Sequence, residues 1–149
     1  MFNRELEAHF ETEEASSTEK RRRLLLNYGT PAEALIYANL FSPAFVEVNG
    51  SVILAENVRN AAEVFKARRA ESQFSLEEYE ASFNFVEVAY LFAPGELIND
   101  AIEVELAHIM ADSWRAKLKL LYPNRTFRVS VFSASETGSV AGIEFYEVR

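Results

Sequence analysis

Between Pro94-Gly95 and Pro123-Asn124 the chain runs for 27 residues, Glu96 to Tyr122, with apolar side chains at helical spacing and no helix breaker. The pattern predicts one long helix over 96–121. On a helical wheel Glu105, His108, Asp112, Arg115 and Lys119 share a narrow face. Ile98, Ile102, Leu106, Ile109, Met110, Trp114, Leu118 and Leu121 cover a much wider arc than a surface helix needs. The helix is therefore expected to be central, with Ile102, Ile109 and Trp114 buried and other elements packed around it.

Two stretches alternate as strands do. Phe45-Val46-Glu47-Val48 and Ser51-Val52-Ile53-Leu54 flank Asn49-Gly50, a pair that favours a tight hairpin turn. Thr126 to Phe132 places Phe127, Val129 and Val131 on one face and Arg128 and Ser130 on the other. Ile143, Phe145 and Glu147 then alternate with Glu144, Tyr146 and Val148, which predicts a second hairpin. The intervening SASETGSVA, residues 133–141, is small and polar and reads as a flexible loop.

The other apolar runs have helical spacing. A short acidic helix is expected over 3–14. Ser16 and Glu19 have capping-box spacing before a helix over 17–28, with Leu24, Leu25 and Leu26 as its apolar part and Gly29 after its end. Thr30 and Glu33 cap a helix over 31–41 that should bury Leu35, Ile36, Leu40 and Phe41. Asn57 is the expected cap of a helix over 57–71, where Val58, Ala61, Ala62 and Phe65 recur and Lys66, Arg68 and Arg69 suit the negative end of its dipole. Ser75 and Glu78 cap another; Phe83 to Phe92 also carry β-branched and aromatic residues that could form a strand, but the cap and the absence of a turn signal before Pro94 favour helix over 76–92.

These elements predict an α+β fold. A small antiparallel sheet of about four strands, built from two β-hairpins, is covered by five or six helices, with helix 96–121 central. Its 149 residues suit a single domain over 1–149.

Composition narrows the function classes. A hydrophobic fraction of 49% fits a packed core rather than a disordered chain. The absence of cysteine removes disulfides, thiolate chemistry and cysteine-based metal sites. The opening MFNRELEAHFETEE has no apolar core of a secretory signal, and no apolar run approaches the roughly 18 residues of a membrane span. A cytoplasmic location without membrane association is expected. A net charge of −8 repels phosphate backbones and attracts basic partners, so a protein partner is expected and nucleic acid is not.

No catalytic motif stands out. There is no Gly-x-Ser-x-Gly, no glycine-rich phosphate cradle, and only two histidines to serve as bases. The expectation is a protein that is not an enzyme, needs no cofactor, and binds another protein as an inhibitor, adaptor or immunity-type module. Glu5, Glu7, Glu11, Glu13 and Glu14, with Glu105 and Asp112 of the long helix, are its expected partner-binding residues. An alternative uses Glu105, His108 and Asp112 as ligand-binding or metal-ligating groups, since Glu-x-x-His presents two ligands from one helix face. Glu5, His9 and Glu13 could supply a second set. Carboxylate-bridged sites need two Glu-x-x-His motifs and two further Glu residues, and one motif is present. Lys20-Arg21-Arg22-Arg23 reads as one zone of a charge-segregated helix. Among the aromatics, Tyr28, Tyr37, Phe41, Trp114 and Tyr122 suit core positions more than interface anchors. A third reading is a homo-oligomer subunit that joins through a strand edge or an aromatic surface.

Overall fold

The computed structural model describes residues 18–57, 61–93 and 99–149. The described helices are α1 (Thr18–Tyr28), α2 (Pro31–Phe41), α3 (Ala61–Glu71), α4 (Leu76–Phe83), α5 (Asp100–Leu121) and the short α6 (Ala134–Thr137). The strands are β1 (Phe45–Val48), β2 (Ser51–Leu54), β3 (Val86–Glu87), β4 (Phe127–Phe132) and β5 (Gly142–Glu147). The fold is α+β. Its backbone clusters into two compact units, one up to Ala38 and one from Asn39 onward.

Both hairpins form. Asn49 and Gly50 take positive φ values of 51° and 85°, the left-handed geometry that a two-residue turn requires. This sets the register Val48↔Ser51 through Phe45↔Leu54. In the second hairpin, Phe127↔Glu147 through Phe132↔Gly142 pair antiparallel. Its connection is more ordered than the small, polar composition of 133–141 suggests. The Glu136 carboxylate accepts from the Ser133 N–H at 2.7 Å, which starts α6, and Gly138 at φ 75° ends it.

The hairpins lie in separate sheets rather than in one sheet of four strands: β1-β2, and β3-β5-β4 with β5 in the middle. The reason is the segment expected to continue as helix to residue 92. It leaves the helix after Phe83, makes β3, and turns through a 3-10 segment at Val88–Leu91. Asn84 is the exit, and it is fully buried. Its Oδ1 accepts from Leu54 N at 3.0 Å, while Nδ2 donates to Val52 O at 3.1 Å and to Phe145 O at 3.2 Å. One side-chain amide thus spans the facing edges of β2 and β5, where a backbone ladder would have made one sheet. A continued helix would leave those edge groups buried and unpaired.

The middle strand β5 is finished the same way. β3 covers only its beginning, through Val86↔Ile143 and Glu87↔Gly142. Beyond that, Asn84 serves Phe145 O and the buried Glu80 serves Glu147 N at 3.1 Å. Glu80 and Asn84 are one helical turn apart on α4, so both reach the same strand edge.

The long helix starts at Asp100, capped by Asn99 through Ile102 N; residues 94–98, with Ile98, lie outside the described residues. It buries one face rather than a wide arc: Ala107, Met110, Ala111, Trp114 and Leu118. Trp114 is buried as expected, and both hairpins meet it. Its ring lies 6.4 Å from Phe45 of β1 and 6.1 Å from Phe145 of β5, both edge-on, and those two rings are 5.3 Å apart. The indole N–H donates to Leu40 O at 2.7 Å. One turn on, Lys117 Nζ donates to Ser42 O and Pro43 O, so the helix also grips the exit from α2. Ile102 is only half-buried, and Ile109 is 43% exposed. The apolar arc was wider than the core had room to cover, because sheet and hairpin approach from one side only. The Asn57 amide donates to Phe83 O at 2.9 Å, and residues 58–60, whose N–H groups it is expected to cap, lie outside the described residues, Val58 among them.

Asn84→Ala removes all three bonds and strands Leu54 N, Val52 O and Phe145 O in the interior. It should destabilise the fold by about 3 kcal/mol or more, at roughly 1–3 kcal/mol for each buried group left unsatisfied. Urea unfolding followed by Trp114 fluorescence measures this, and a loss below about 1 kcal/mol would contradict the assigned role.

Candidate interaction surface

The i, i+3, i+7 spacing does place Glu105, His108 and Asp112 together on the outer face of α5, and all three are exposed. Arg115 joins them. Its Nη1 donates to Asp112 Oδ1 at 2.7 Å and its Nη2 to Val129 O at 2.7 Å. The Asp112 side chain is 80% exposed, so this pair contributes at most about 1 kcal/mol. Ile109 and Leu120 are exposed on the same face. The surface is thus mixed, with apolar positions between carboxylates, an imidazole and a guanidinium. Among the described residues no group of three or more His, Asp or Glu side chains is arranged to hold a metal ion.

A second exposed surface belongs to α1 and α2. Thr30 and Glu33 form the expected capping box: Glu33 N donates to Thr30 Oγ1 at 3.2 Å and Thr30 N donates to the Glu33 carboxylate at 2.9 Å. Gly29 sits against the end of α1, where a Cβ would collide with Leu25. The helices form, but Leu25, Leu26, Leu35 and Ile36 stay exposed. No residue of α2 is fully buried. Leu35 and Ile36, expected in the core, are 74% and 68% exposed, and Tyr37, Leu25, Leu26 and Tyr28 are exposed beside them in sequence. Leu40 and Phe41 are half-buried against the main core. Helical spacing identifies an apolar face but does not say what lies against it. The acids Glu5, Glu7, Glu11, Glu13 and Glu14, with His9 and Ser16, lie outside the described residues.

Sequence reasoning missed a chain of charges. Buried Glu80 receives two bonds from Arg149, Nη2 to Oε1 at 2.7 Å and Nη1 to Oε2 at 3.0 Å. Arg149 also pairs with Glu147 at 2.9 Å, Glu147 with Arg125, and Arg125 with Glu47 at 3.3 Å. The Arg125 hydrogen bond holds the Glu147 carboxyl below its ordinary range, while Arg125 itself is pushed up by the same bond. Burial pushes Glu144, three residues earlier, upward. The only trace of this network in the sequence is a carboxylate and an amide, Glu80 and Asn84, at core-facing positions among Tyr79, Ala81 and Phe83.

The chain matches no protein-family model, no curated protein and no solved structure.

The Glu147 shift has a definite sign. A carboxylate whose folded pKa lies below its unfolded value near 4.3 stabilises the fold above that value. The contribution drains as pH falls through the depressed folded pKa. Glu147→Gln should therefore be less stable than the parent at pH 7 and lose less stability on acidification between about pH 5 and pH 2. Parallel unfolding curves across that range would show that Glu147 is not linked to folding.

Proposed function

We propose that this chain is a non-enzymatic protein-binding module of the inhibitor, adaptor or immunity type, acting in the cytoplasm on a basic partner. The observation that carries the reading is the exposure of two large apolar residues of α2, Leu35 and Ile36. Large apolar side chains held in water are characteristic of association sites. The net charge of −8 and the exposed Glu105 and Asp112 supply long-range attraction for a basic partner. No described helix is long and apolar enough to cross a membrane.

In this reading the apolar residues set how long the complex lasts and the acids set how fast it forms. With a partner captured from the native host, Leu35→Ser combined with Ile36→Ser should raise the dissociation rate tenfold or more. It should leave the melting temperature nearly unchanged, because neither side chain is in the core. Glu105→Lys should slow association, and raising the salt concentration should slow it for the parent as well. An association rate indifferent to ionic strength would rule out the electrostatic half of the reading. A dissociation rate indifferent to the α2 changes would rule out the other half.

A further inference from the structure

β4 is an outer strand, since β5 separates it from β3. The ladder shows which of its backbone groups face outward. Val148 N donates to Thr126 O at 2.8 Å, one step beyond the pair Phe127↔Glu147. Bonded and non-bonded pairs alternate along an antiparallel ladder. Arg128 and Ser130 therefore turn their N–H and C=O groups toward β5, whereas Phe127, Val129 and Val131 turn theirs away from it. Val129 O is one of these outward groups, and Arg115 occupies it at 2.7 Å. Asp112 holds the other arm of the same guanidinium at 2.7 Å.

The strand behind this contact is suited to pairing with itself. FRVSVF is rich in aromatic and β-branched residues, contains no proline or glycine, and carries Arg128 as its single charge. In an antiparallel pair of two copies centred on Val129, Phe127 faces Val131 and Arg128 faces Ser130. Like charges do not meet in this register.

We propose that β4 is a self-pairing edge whose occupant is β4 of a second copy, antiparallel and centred on Val129, and that the Asp112–Arg115 pair is the latch that keeps it closed. The latch lies on the surface, with the two side chains 46% and 80% exposed, so little energy holds it. Charged side chains placed on an outer strand are a common defence against edge-to-edge association. Here the guard is a single side chain reaching in from α5.

Light scattering on size-separated protein at matched concentrations tests this. R115A should have twice the mass of the parent, D112N should shift in the same direction to a smaller extent, and V131P added to R115A should restore the parent mass. An R115A protein that melts cooperatively at the parent mass overturns the proposal. Should R115A fail to melt cooperatively, D112N decides, since its side chain is exposed, and an unchanged mass there overturns it equally. The register has its own readout, because the chain has no cysteine. In the proposed pair, positions 128 and 130 face each other at a Cα separation of about 4.5 Å, within disulfide range. Oxidising R115A/R128C mixed with R115A/S130C should give mainly the mixed dimer. Equal yields of mixed and like dimers overturn the register.

Discussion

The architecture depends on one buried primary amide. Asn84 stands where two sheet edges face each other and gives each what a neighbouring strand would have given. It accepts from Leu54 N, donates to Val52 O, and donates again to Phe145 O. An asparagine is suited to this because its side chain carries an acceptor and two donors in one plane, the same chemistry as a peptide group. The arrangement also fixes where α4 must end, since the residue that closes the helix is the one that joins the sheets. Glu80, a turn earlier, extends the substitution along β5 and takes Arg149 as its counter-charge. A carboxylate at such depth is tolerated only because its oxygens are satisfied by a backbone N–H and a guanidinium.

The long helix α5 divides its work between two faces. The inner face is short-chained where the sheet comes close, at Ala107 and Ala111, and large where the hairpins leave room, at Met110, Trp114 and Leu118. Trp114 is the point at which both hairpins and the exit of α2 converge. The outer face keeps Glu105, His108 and Asp112 in water. Arg115 lies between these two roles, pairing with an exposed carboxylate while its other arm reaches the backbone of β4.

Much of this was legible in the sequence, and the failures have specific causes. Asn49-Gly50 dictated a hairpin because few other pairs tolerate two successive positive φ values, and the structure has that hairpin. The capping boxes at Thr30 and Ser75 form as the sequence indicates, whereas the one at Ser133 and Glu136 lies in a run of small polar residues that reads as a loop. Local periodicity placed Glu105, His108 and Asp112 on one face. It could not show that Ile109, Leu35 and Ile36 would stay uncovered, because burial is decided by what packs against a face and not by the face itself. The end of α4 at Phe83 was hidden for a similar reason. The residues after it have both helical and strand character, and the contest is settled by β2 and β5, which are remote in sequence. Glu80, Arg149 and the Arg115 contact to Val129 are long-range pairings with no local signature.

The order of these elements along the chain also bears on how the protein reaches its native state. β5 is the central strand of its sheet yet follows every other described element. The contacts that close the core span long stretches of chain: 61 residues between Asn84 and Phe145, 74 between Trp114 and Leu40, 75 between Lys117 and Ser42. Such a topology folds slowly, because the entropy of closing large loops is lost before the contacts that repay it can form. On a ribosome the first hairpin and α4 emerge well ahead of the strand that completes them. During that interval Asn84 can already serve Leu54 N and Val52 O, whereas its bond to Phe145 O and the Glu80 bond to Glu147 N wait for β5.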